Sequence, residues 1–257
     1  MKIAICLSGK FSGKNQRGEI QGFEIPFEFL YKNIIMSNDV DIFIHGWDDN
    51  PYQSKKLLET YKPKKHIIEK QIDFKHPFKD YKFIPNGKWS TQSNIKNNYS
   101  RFYSIKKSID LVEGEYDFVF LTRFDTIFYT PFNFKTLNSD NFYVSNWNKN
   151  HLGYGFNDAW FFSSKENMVK YSEIYNRLNI YFKAGSEYFK FLESYGFGGK
   201  NMNSGHLLSR YHVNNIGINE IYSIGLEYKT WGLLRRLNQR SNPWWKSDID
   251  ITIPHKL

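Results

Sequence analysis

An α/β fold, with a central and mostly parallel sheet flanked by helices, is predicted by three observations. Short apolar runs read as strands covered on both faces: Lys2–Leu7, Val40–His45 and Phe118–Leu121. Segments with helical apolar spacing lie between them, above all 98–112, where Phe102, Ile105, Ile109 and Val112 share one face. Strands and helices then alternate along the first half of the chain, which is the pattern of a Rossmann-like sheet.

The elements follow in order. After strand 2–7 comes the glycine-bearing stretch Ser8-Gly9-Lys10-Phe11-Ser12-Gly13, read as a loop. A helix is predicted over 23–36, with Pro26 in its first turn. Strand 40–45 is followed by a short helix ending at 57–61, which Pro63 keeps from continuing. A third strand covers 66–69, and 71–98 reads as a long polar and aromatic loop. Gly114 ends the 98–112 helix before the 117–121 strand.

The second half is more mixed. Strands are expected at 141–146, 158–163 and 218–224, and helices at 165–179, 186–195 and 203–212. The apolar face of 165–179 is Met168, Tyr171, Ile174, Tyr175 and Leu178. Gly196 to Gly199 breaks the helical pattern, and the basic, Trp-rich tail from Leu233 wraps back over the domain. No repeat or linker divides the chain, so a single domain over 1–257 is expected.

Composition narrows the function. The net charge of +9 points to an anionic partner, such as a phosphorylated substrate or an anionic membrane surface. The lysines are scattered and form no basic helix or arm, so no nucleic acid partner is expected. Aromatic residues reach 19%, which suits stacking on sugar or base rings, although a low-GC codon bias gives the same excess. The one cysteine, Cys6, sits in an apolar strand and reads as a core residue, not a nucleophile. Without a signal peptide or a membrane-length apolar run, a cytoplasmic location is expected, with peripheral membrane contact compatible with the charge.

Several chemistries lack their signatures. There is no Gly-Lys-Ser/Thr phosphate loop, no dinucleotide Gly-x-Gly-x-x-Gly, no paired His or Cys spacing for zinc and no Gly-x-Ser-x-Gly elbow. What the sequence does offer is polar residues at strand ends. Asp125 follows the 117–121 strand behind Arg123, at the edge where open α/β sheets bind ligands. A carboxylate there suits Mg²⁺ or Mn²⁺, and through the cation a diphosphate. A turn cap paired with Arg123 is the alternative. His45 ends the second strand as a ligand-facing donor or as a satisfied loop residue. Asp158 precedes an aromatic strand after Gly153 and Gly155, close to Tyr154 and Trp160. It suits sugar hydroxyls or general-base work, or else makes an Asx turn.

Three groups of residues together resemble a known family. The first is Ile5-Cys6-Leu7-Ser8-Gly9-Lys10 followed by Asp41-Ile42-Phe43-Ile44-His45-Gly46-Trp47. The second is Ser100-Arg101-Phe102-Tyr103 leading into Phe118-Val119-Phe120-Leu121-Thr122-Arg123-Phe124-Asp125. The third is Asn157-Asp158-Ala159-Trp160-Phe161-Phe162. By motif order over about residues 1–215, the chain resembles small GT-A-type glycosyltransferases of capsule, lipopolysaccharide and viral glycan gene clusters.

The resemblance implies a GT-A-like fold, a nucleotide-sugar donor of UDP, GDP or CMP type, a glycan acceptor, and Mn²⁺ or Mg²⁺ on an Asp-x-Asp motif. Here Arg123 replaces the first Asp and Asp125 matches the metal-binding one. Arg123 itself is then able to offset diphosphate charge. By the same resemblance Ser8, Gly9, Lys10, His45, Arg101, Tyr103, Arg123 and Asp125 bind the donor, and Asp158 is the acceptor-side catalytic carboxylate. His206 or His255 completes the metal site. The rivals are a nucleotidyl- or phosphosugar transferase on the same fold and a non-catalytic carbohydrate- or nucleic-acid-binding protein.

Overall fold

The structure is a computed structural model. It describes residues 1–13, 22–48, 50–74, 92–146, 155–183, 185–194, 205–225, 230–234 and 254–257. Gly153, Tyr154, the glycines at 196–199 and the tail between 235 and 253 lie outside the described residues.

The first half alternates as expected: β1 (Lys2–Lys10), α1 (Glu24–Asn33), β2 (Asp39–Trp47), α2 (Pro51–Tyr61), β3 (Lys65–Glu69), α3 (Gln92–Asp110), β4 (Phe118–Arg123). Short β5 (Thr126–Phe128) and β6 (Phe142–Ser145) follow. Then come β7 (Trp160–Ser163), α4 (Lys165–Ser172), α5 (Ile174–Tyr181), α6 (Glu187–Ser194), α7 (Gly205–Asn215), β8 (Ile221–Ile224), β9 (Trp231–Leu233) and β10 (His255–Lys256).

The main sheet has the order β10-β8-β6-β7-β4-β1-β2-β3, and β5 pairs with β9 in a separate ribbon. The block β3-β2-β1-β4 is parallel throughout. β7 runs antiparallel to both β4 and β6. The reversal of β7 positions the site, because it turns the N-terminal end of β7 toward the carboxyl ends of β1, β2 and β4.

Side chains alternate across the sheet as strand geometry requires. Ala4, Cys6, Phe43, Val119, Leu121 and Phe161 pack on the α3–α7 side. Ile3, Ile5, Leu7, Ile42, Ile44, Phe118, Phe120 and Phe162 pack on the α1–α2 side. Continued along each strand, the same alternation sends Ser8, His45 and Arg123 to the α3 side. Ser8 is also the register partner of both His45 and Arg123.

Some boundaries differ from expectation, for physical reasons. β1 runs on through Ser8, Gly9 and Lys10, since all three pair with β2. α3 starts at Gln92, inside the stretch read as loop. The helix expected over 165–179 is two helices, because Glu173 turns to ψ −8° between α4 and α5. Burial raises the pKa of the Cys6 thiol, in keeping with a core residue.

A buried histidine ties α4, α5 and α7 together. Tyr181 Oη donates to His212 Nδ1 at 2.7 Å, and His212 Nε2 donates to the Lys170 carbonyl at 3.1 Å. Burial lowers the His212 pKa to about 4, against 6.5 for a free imidazole. Between those values the unfolded chain takes up a proton that the folded chain refuses. Stability should therefore fall by about 3 kcal/mol as pH drops from 6.5 to 4. Denaturant unfolding across that range should show a shallower slope in His212→Gln, and an unchanged slope would contradict the assignment.

Candidate functional site

Two groups of polar residues meet at the carboxyl edge of the sheet, both on the α3 side. The first lies where β4 ends and β7 begins. Arg123 closes β4, and its guanidinium grips Asp125 with two parallel hydrogen bonds, Nε to Oδ1 and Nη2 to Oδ2, each 2.8 Å. This fork geometry is the strong form of the Arg–carboxylate contact. Arg123 Nη1 also lies 3.7 Å from Asp158 Oδ1.

Asp158 arrives on the reversed strand. Thr122 of β4 pairs with Trp160 of β7, so Asp158, two residues before Trp160, falls level with the end of β4. The turn into β7 is an Asx turn made by Asn157, whose Oδ1 accepts the Ala159 N–H at 2.8 Å. The Asp158 carboxylate is thereby left to Arg101, which donates to it from Nη1 and to the Asp158 carbonyl from Nη2 at 3.2 Å. Arg101 is half-buried on α3.

His206 borders this group at the start of α7. Its Nδ1 donates to the Phe156 carbonyl at 2.7 Å and lies 3.9 Å from Asp158 Oδ1. Burial lowers its pKa. The Asp158 charge opposes that shift and the two guanidiniums add to it. Gly155 makes the approach of the chain to α7 feasible. It has φ +80°, and a Cβ there would sit 2.3 Å from the His206 carbonyl carbon and oxygen.

The second group lies at the ends of β1, β2 and β3. Ser104, one turn after Arg101 on α3, accepts the Gly9 N–H at 2.8 Å and contacts His45 Nδ1 at 2.7 Å. His45 Nε2 meets Glu69 Oε1 at 3.0 Å. His45 is fully buried, and burial lowers its pKa against the pull of Glu69. It therefore presents no ring nitrogen to a ligand, unlike the donor-facing role expected. Tyr103 stacks on Trp47 with ring centroids 5.4 Å apart. Burial and a hydrogen bond to Glu69 push its pKa up to about 12. It braces the second group from the side.

Beyond β1 the chain opens into a cavity of about 490 Å³, lined among others by Lys10, Phe11, Phe23, Glu24, Asp48 and Gln53. Phe11 and Phe23 meet edge to face at 6.0 Å on its apolar side. Asp48 accepts from Ser12 at 2.8 Å and from Ser54 at 3.2 Å. Gly46 lets Phe11 lie flat against β2, since a Cβ would come within 2.6 Å of that ring. A cavity of this size takes a nucleoside-sized molecule, and it lies at the sheet edge where α/β folds bind ligands.

The structure thus brings together Arg101, Arg123, Asp125, Asp158 and His206, with Ser8, Gly9 and Lys10 on the adjoining strand. It does not bring His255 to them. That residue pairs with Ser223 at the opposite sheet edge, four strands from β4, which is on the order of 19 Å. As arranged, the residues do not fit a divalent cation at Asp125. Both of its oxygens accept from Arg123, and Asp158 is held by Arg101. A guanidinium stands where the cation would sit.

The sequence singled out Lys10 of the cavity, but not Ser104, Glu69 or the cavity residues Phe23, Glu24, Asp48 and Gln53. A signal for Ser104 was present: Arg101, Ser104 and Ser108 recur at helical spacing on a second face of α3, beside the apolar face of Phe102, Ile105 and Ile109. No family model matches the chain, and no curated protein matches it. Among the described residues, no helix is long and apolar enough to cross a membrane.

Proposed function

We propose that this chain is a GT-A-type glycosyltransferase that moves a sugar from a nucleotide-sugar donor to a glycan acceptor hydroxyl in surface polysaccharide or glycan synthesis. The observation that carries this reading is the convergence of Arg101, Arg123, Asp125, Asp158 and His206 at one sheet edge, with a cavity past the exits of β1 and β2 on the α1–α2 face of that edge. The cavity would take the nucleoside, with Phe11 and Phe23 as its apolar wall and Lys10 toward the diphosphate. The acceptor would approach over Asp158.

In the reaction, the acceptor oxygen forms a bond to the anomeric carbon. The bond from that carbon to the diphosphate breaks, and its electron pair leaves on the diphosphate oxygen. The acceptor proton passes to a base, the role we assign to Asp158. The leaving diphosphate needs positive charge, and Arg123 and Arg101 supply it as planar donors suited to phosphate oxygens. A panel of nucleotide sugars, assayed for hydrolysis without acceptor, tests the reading; no hydrolysis and no transfer with any of them would reject it.

The Arg123–Asp125 fork bears on the Mn²⁺ or Mg²⁺ expected from the family. With the arginine carrying the charge, turnover should be unchanged by EDTA, and Arg123→Met should lower it by about 10²–10³-fold. Turnover that collapses in EDTA and returns with Mn²⁺ would contradict the arginine role and restore the cation at Asp125.

A further inference from the structure

The chain Glu69–His45–Ser104–Gly9 runs from the surface to the exit of β1, and its direction is fixed by chemistry. A backbone N–H only donates, so Ser104 Oγ accepts from Gly9 at 2.8 Å. The hydroxyl proton then goes to His45 Nδ1 at 2.7 Å, which is closer than the His45 carbonyl at 3.3 Å. With Nδ1 accepting, the ring proton is on Nε2, where Glu69 accepts it at 3.0 Å. Every donor in the chain meets an acceptor.

The ring cannot turn freely. Trp47 stands against it edge to face at 4.7 Å and Tyr103 at 5.5 Å. Ser104 is 1% exposed and His45 fully buried, so the polar atoms are held out of water. Apolar side chains would fill this space without that desolvation. A satisfied polar chain adds a defined direction for the group at its end. That group is the Gly9 amide, at φ +110°, a backbone angle that only glycine adopts readily. The next residues, Lys10 and Phe11, line the cavity.

We propose that Glu69, His45 and Ser104 are positioning residues. They hold the Gly9 N–H inward and thereby set where β1 delivers Lys10 and Phe11 to the nucleotide of the donor. The ligand in this statement rests on the glycosyltransferase reading; the hold on Gly9 does not. Arg101, three residues before Ser104 on the same helix, holds Asp158. α3 therefore sets the distance between the donor exit and the acceptor-side carboxylate, with one turn of helix as the spacer.

The test uses the full chain with two readouts: hydrogen exchange at the Gly9 amide, and calorimetric titration with UDP, GDP and CMP. In Ser104→Ala, Gly9 exchange should speed up by at least about tenfold, and affinity for the nucleotide that binds should drop by about tenfold. Glu69→Gln, which keeps an acceptor for His45 Nε2, should behave as wild type, whereas Glu69→Ala should shift both readouts in the Ser104→Ala direction. Should Ser104→Ala not fold, the two Glu69 variants decide, since Glu69 is partly exposed, and equal behaviour of the two overturns the proposal. A wild type that binds one nucleotide, with variants that bind it equally well, overturns the proposal alone. A wild type that binds none of the three overturns the ligand assignment and the glycosyltransferase reading together, and the Gly9 exchange then judges the hold by itself.

Discussion

Asp158→Asn should lower sugar transfer by roughly 10²–10⁴-fold while nucleotide binding persists. The carboxylate lies between two guanidiniums, hydrogen-bonded to Arg101 and 3.7 Å from Arg123, with His206 Nδ1 at 3.9 Å. The amide keeps the shape of the side chain. It removes the base for the acceptor proton and the charge partner of Arg101, while Arg123 stays held by its fork with Asp125. The donor cavity is lined from the end of β1 to α1 and from the end of β2 to α2, and Asp158 is not among its lining residues, so nucleotide affinity should survive. Steady-state rates with saturating donor, read beside a nucleotide titration, check both halves. Near-normal turnover would remove Asp158 from the reaction. A product with retained anomeric configuration would leave it as an acceptor-binding residue only.

Gly155→Ala should destabilise the fold by at least about 3 kcal/mol. Two effects add. The left-handed backbone at φ +80° disfavours any Cβ by roughly 1–2 kcal/mol. The new carbon would also lie 2.3 Å from the His206 carbonyl and 2.4 Å from the Leu207 nitrogen, both of them backbone atoms at the start of α7. Either α7 moves away or the 155–158 segment does. Both movements break the Phe156 N–H to His206 carbonyl bond of 3.1 Å and separate His206 from Asp158. Denaturant unfolding measures the loss. A change under about 1 kcal/mol would mean that the close approach is relieved without consequence.

These two residues show what the sequence could and could not reveal. Asp158 was legible, because a carboxylate directly before an aromatic strand is a local pattern. So was Asp125 behind a buried strand. The strands β1, β2 and β4 and the later turns of α3 were legible for the same reason: their apolar period is written in consecutive residues. The start of α3 was not, because Lys96 and Asn97 are exposed and, among the described side chains of its early turns, Ile95, Asn98 and Tyr99 alone are buried. β5 and β9 are three residues each and gain their identity only by pairing with each other. The roles of partners were least legible. Whether Asp125 meets a cation or Arg123 depends on a side-chain fork. Whether His45 faces a ligand or Ser104 depends on how a distant helix lies against the sheet. Neither is a property of a window of sequence.

The carboxyl edge around Arg123 should bind the phosphate of a nucleotide. Calorimetric titration of the intact chain with UDP, GDP and CMP, repeated on Arg123→Met, tests it most directly. One nucleotide should bind wild type, and the substitution should weaken it by at least about tenfold, as expected for a lost charge-assisted phosphate contact. Binding of none of the three, or binding that ignores the loss of Arg123, would contradict it.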